Sequence, residues 1–69
     1  MLCLDRLGYI RSGDMRDFYI KIMYDKMTDG FFVFYSKDPG NKSAEGYDEW
    51  YENYKIVNDL FGKRDIAWT

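Results

Sequence analysis

The chain is 69 residues long, carries a net charge of −2 and is 20% aromatic, with seven Tyr, five Phe and two Trp. That length supports one small domain, whose core must rest on a few large side chains. There is no histidine and a single cysteine, Cys3, which excludes an internal disulfide, a cysteine-built zinc site and any histidine-dependent triad.

From the N-terminus, Met1 to Leu4 is too short for a secretory signal and is followed by Asp5. No apolar run is long enough to span a membrane, so the sequence points to a cytoplasmic protein with no membrane partner. Leu7 to Arg11 is predicted as a short strand that turns at Ser12-Gly13. Residues 1–15 either leave the outer face of the hairpin that follows open or fold over it and complete the core. Cys3 has no basic neighbour to lower its pKa, so it reads as a small buried hydrophobe.

Asp17 to Lys37 reads as the central β-hairpin. Phe18, Ile20, Ile22 and Tyr24 alternate with Tyr19, Lys21, Met23 and Asp25, the period of a strand with one buried face. Phe31 to Tyr35 is a second strand, apolar on both sides. Asp29-Gly30 between the two is a strong hairpin signal. With Gly30 in the left-handed region, the turn sets Lys26 opposite Phe31, Tyr24 opposite Val33 and Ile22 opposite Tyr35. One face then carries Phe18, Ile20, Ile22, Tyr24, Phe31, Val33 and Tyr35. The other carries Tyr19, Lys21, Met23, Asp25, Phe32 and Phe34.

Asp38-Pro39-Gly40-Asn41 is turn chemistry and ends the second strand. A helix is predicted over about 44–61, with Ser43 as N-cap and Gly62 as stop. At 100° per residue its inner face holds Tyr47, Trp50, Tyr51, Tyr54, Val57 and Phe61, and its outer face Asp48, Glu52, Lys55 and Asp59. Ile56 and Leu60 form a second, smaller stripe. Arg64 to Thr69 reads as a closing strand beside the Phe18 strand and parallel to the Phe31 strand. The whole is a single α+β domain over 1–69: a small antiparallel sheet with one helix packed on one face.

No catalytic constellation is present. Asp48 and Glu52 lie on the solvated helix face, no phosphate-binding glycine loop occurs, and Asp25-x-Met27-x-Asp29-Gly30 lacks the ligands of a calcium loop. No enzyme activity, cofactor or metal is therefore expected.

The apolar surplus indicates a protein-binding module instead. One helix covers one sheet face, which leaves Tyr19, Lys21, Met23, Phe32 and Phe34 as the expected partner-binding surface, with Ile56 and Leu60 as a second patch. The partner is another protein or a second copy of the chain. In size, acidity and aromatic content the chain resembles small phage-encoded inhibitors of larger complexes, anti-CRISPR proteins among them. Gly30-Phe31-Phe32-Val33-Phe34-Tyr35 is similar to the aromatic strand motif of RRM domains, and this resemblance implies single-stranded RNA stacked on sheet aromatics. The motif's leading basic residue is Asp29 here, and the small residue between its first two aromatics is missing. The low positive charge also weighs against phosphate contacts, so nucleic acid is not an expected partner.

Overall fold

The computed structural model describes residues 2–38 and 46–69. Five strands form one antiparallel sheet: β1 Leu7–Ile10, β2 Tyr19–Asp25, β3 Gly30–Ser36, β4 Gly46–Tyr51 and β5 Ile66–Trp68. Among the described residues a single helix, α1 Tyr54–Phe61, separates β4 from β5. The order across the sheet is β4-β3-β2-β1-β5, so the architecture is the expected small α+β sheet with a helix on one face.

β2 and β3 form the middle of the sheet, with Ile22 opposite Val33, Tyr24 opposite Phe31 and Asp25 opposite Gly30. This differs by two residues from the register the sequence suggested. The reason lies in the turn. Asp29, not Gly30, takes the left-handed conformation, at φ 55°, and Gly30 is the first residue of β3. Aspartate tolerates that region because its short side chain bonds locally, and here Asp29 accepts a hydrogen bond from the Tyr24 hydroxyl. Asp25 holds the other side of the turn by accepting the Met27 N–H and the Thr28 hydroxyl. A shift of two preserves which side chains share a face, so the expected division of the hairpin holds.

The predicted helix over 44–61 is corrected at its first half. Gly46–Tyr51 is the edge strand β4, paired along β3 from Ser36↔Gly46 to Phe31↔Tyr51. Tyr and Trp favour strands, and Gly46 weakens a helix. The exposed ladder of β3 supplies partners that an isolated helix would not have. The expected cap at Ser43 and the turn at 38–41 lie largely outside the described residues. The cap in use is Asn53, whose side chain accepts the Ile56 N–H at 3.0 Å. Gly62 ends the helix in a right-handed conformation, its N–H bonded to the Asn58 carbonyl.

The closing strand is corrected as well. β5 lies beside β1, beyond the Phe18 strand, with Tyr9 opposite Ala67 and Ile10 opposite Ile66. It runs antiparallel to β3, because the helix returns from β4 and not from β3. β4 and β5 are thus the two edges of the sheet and run parallel to one another.

The core lies between the sheet and α1. Ile10, Ile20, Ile22, Val33 and Val57 are 0% exposed, with Leu2 and Phe61 beside them. Leu2 reaches this core because the chain before β1 runs along β2, where Leu4 bridges Ile22 and the Asp5 N–H bonds the Ile22 carbonyl. Met15, from the loop between β1 and β2, packs on the same cluster. The N-terminal segment therefore completes the helix side of the sheet. The Arg64–Asp14 ion pair at 2.8 Å ties that loop to the segment ahead of β5.

Candidate partner-binding face

The sheet face away from α1 is organised in cross-strand rows. One row runs Leu7, Lys21, Phe34, Asp48 from β1 to β4. A second runs Met23, Phe32, Trp50 across β2, β3 and β4. A third begins Ala67, Tyr9, Tyr19 on β5, β1 and β2. Directly opposed side chains in a sheet are in contact range, so these rows make one continuous surface.

Phe34 is 40% exposed and Trp50 45% exposed, while Tyr19, Met23 and Phe32 are half-buried and Lys21 is exposed. Phe32 and Phe34 sit with ring centroids 6.2 Å apart. No described element crosses this face, since Leu2, Met15 and α1 all pack on the other one. A shallow groove of about 440 Å³ opens along it, lined by Leu7, Tyr19, Lys21, Phe34 and Asp48 among others.

The surface is held rigidly. The Trp50 indole lies over Gly30, where a Cβ would overlap it, and its Nε1–H donates to Thr28 Oγ1 at 3.0 Å. Thr28 Oγ1 in turn donates to Asp25, so the hairpin turn fixes the Trp50 ring. At the opposite corner Tyr9 and Tyr19 are in contact at 5.0 Å, and the Tyr9 hydroxyl donates to Asp17 at 2.6 Å. That hydrogen bond, more than burial, raises the Tyr9 pKa. The charges near Phe34 are Lys21 on one side and Asp48 on the other. Neither has an ion-pair partner among the described residues.

The structure thus brings Tyr19, Lys21, Met23, Phe32 and Phe34 together on one face. It does not bring Ile56 and Leu60 to them. Those two lie on α1 across the sheet, Ile56 half-buried and Leu60 48% exposed. Trp50, Asp48, Leu7 and Tyr9 are members that sequence reasoning missed. The signal for Trp50 was present in the alternation of Tyr47, Glu49 and Tyr51 with Asp48 and Trp50, which fits a strand as well as it fits a helix stripe.

The helix side of β4 has a different character. Glu49 accepts the Tyr35 hydroxyl at 3.3 Å and the Tyr51 hydroxyl at 2.7 Å. Burial, followed by the Glu49 bond, pushes the Tyr51 pKa up to about 12, and burial with Glu49 also raises that of Tyr35. Two phenols hydrogen-bonded to one carboxylate make a structural clasp. Among the described residues no cluster of three or more His, Cys, Asp or Glu is placed to hold a metal ion. No described helix is long and apolar enough to cross a membrane.

No protein-family model, curated protein or solved structure matches this chain.

Proposed function

We propose that the chain is a non-enzymatic protein-binding module whose sheet face away from α1 docks on another polypeptide. The carrying observation is the exposure of Phe34 and Trp50 on a sheet face that no described segment covers. Aromatic side chains give large contact area at little entropic cost, and a central aromatic pair edged by single charges is the composition of a binding hot spot. The same face has the open, aromatic texture that RNA-binding sheets use, but its rows hold one basic residue, Lys21, against Asp25 and Asp48. Phosphate contacts need an excess of positive charge, so a protein surface fits better than a nucleic acid.

The test is a pair of variants, Phe32→Ser and Phe34→Ser. Binding to the protein partner should fall by at least about tenfold for either, as for central aromatic anchors, with the dilute monomer still folded. A large drop in the stability of the monomer in both variants, with binding by the remaining folded protein unchanged, would make the face a part of the core. A fluorescence titration with mixed-sequence single-stranded RNA at physiological salt should show no saturation. Saturable, steeply salt-dependent binding would replace the protein reading with an RNA one.

A further inference from the structure

The rows on the exposed face are self-complementary, and we infer that the polypeptide seated on it is a second copy of this chain. This rests on the protein-binding reading of the face and adds the partner and its orientation.

The argument is geometric. A symmetric pair of faces is related by a two-fold axis lying in the plane between them. If that axis runs along β3, parallel to the strands, it exchanges the β2 side of one copy with the β4 side of the other. In the row Lys21, Phe34, Asp48, Phe34 then meets Phe34. Lys21 of each copy faces Asp48 of the other, so two ion pairs flank the aromatic centre. In the next row, Met23, Phe32, Trp50, Phe32 meets Phe32 and each Met23 meets a Trp50, a favourable sulfur–aromatic contact. An in-plane axis across the strands through the Lys21, Phe34 and Asp48 row would instead set Lys21 on Lys21 and Asp48 on Asp48, which like-charge repulsion disfavours. Sheets that pack face to face keep their strands nearly aligned, and both axes do so. Of these two arrangements charge favours the first, which joins the two charged residues that flank Phe34 and lack an ion-pair partner among the described residues.

The contact is small. The axis on β3 opposes only β2, β3 and β4 of the two copies, and three strands about 4.8 Å apart and some four residues long present roughly 200 Å² on each copy. That lies below the size of a standard specific interface, so the dimer is weak and reversible, with a dissociation constant on the order of 100–1,000 µM.

The experiment is sedimentation equilibrium of the full chain from about 10 µM to about 2 mM, a range set by that estimate. Wild type should pass from monomer to dimer. Lys21→Glu and Asp48→Lys should each associate at least about tenfold more weakly, because each sets like charges against one another twice. The double variant K21E/D48K should recover the wild-type constant. Most tellingly, the two single variants mixed in equal amounts should form a heterodimer. The carboxylate introduced into one chain then faces the ammonium introduced into the other, while the native Asp48 of the first faces the native Lys21 of the second. Melting of each variant at low concentration, expected to match wild type, shows that these surface changes leave the fold intact.

A monomeric wild type throughout the range would overturn the self-association while leaving the protein-binding reading to its own variants. A dimer that Phe34→Ser breaks but the charge reversals do not would keep the face and overturn this orientation. A dimer indifferent to Phe34→Ser would overturn both.

Discussion

The two faces of one sheet are built from the same residue types and used differently. On the helix side Ile20, Ile22 and Val33 are completely buried beneath Val57 and Phe61. On the other side, one residue along the same strands, Phe34 is 40% exposed and Lys21 and Met23 flank it on β2. Each face also has a tryptophan lying over a glycine of the neighbouring strand, Trp68 over Gly8 on the inner face and Trp50 over Gly30 on the outer. The strands therefore present apolar side chains to both surfaces, but an eight-residue helix covers only one of them. A strand apolar on both sides specifies two covers, and this chain's described residues supply one.

That contrast can be broken or sharpened by substitution. The largest effect should come from Phe61→Ala, which removes a buried ring from the inner face and should cost about 3–5 kcal/mol, enough to unfold so small a domain. Urea denaturation measures it, and a cost near that of an exposed site would misplace the core. Gly30→Val should come next, at about 1–3 kcal/mol, because the new side chain displaces the Trp50 indole. Thermal melting checks it, with Trp50 fluorescence reporting the displaced ring. Phe34→Ser should cost the dilute monomer no more than about 1 kcal/mol, since its ring is partly in water already.

The smallest effect is on titration. Tyr51, with its pKa raised to about 12 against an ordinary 10.0, ionises later than an unfolded tyrosine. A raised pKa means that its contribution to stability is complete below pH 10 and is lost as the pH climbs through 12. Glu49→Gln removes the carboxylate but leaves the burial, so tyrosinate absorbance should show Tyr35 and Tyr51 ionising earlier while remaining later than free tyrosine. An unaltered absorbance curve would remove Glu49 from the account of that clasp.

Much of this contrast was legible in the residues. The alternation of Phe18, Ile20 and Ile22 with Tyr19, Lys21 and Met23 divides the hairpin into its two faces, and the division survives a two-residue difference in register because side chains repeat every second residue. The register itself was hidden, since Asp29 and Gly30 can each supply the left-handed residue and the Tyr24 hydroxyl favours Asp29. β4 was hidden for another reason. Tyr47, Trp50, Tyr51 and Tyr54 satisfy a helical stripe, and pairing with β3 is a long-range interaction that local periodicity does not contain. Missing β4 also misdirected β5, because the crossover was counted from β3. It placed Trp50 on the helix side, when it is the largest exposed side chain of the opposite face. Val57 and Phe61 came out correctly, since that half of the stripe is helical.

The most direct measurement of the division between the faces is the melting temperature of wild type and Phe34→Ser as a function of protein concentration. Association that involves only the folded state raises the midpoint with concentration. The two proteins should melt within about 8 °C of one another at the dilute limit, in keeping with a cost of no more than about 1 kcal/mol. They should then separate as concentration rises, wild type climbing and the variant staying level. A constant, concentration-independent gap, with the variant lower throughout, would show that Phe34 belongs to the core and that no second copy docks on this face through it.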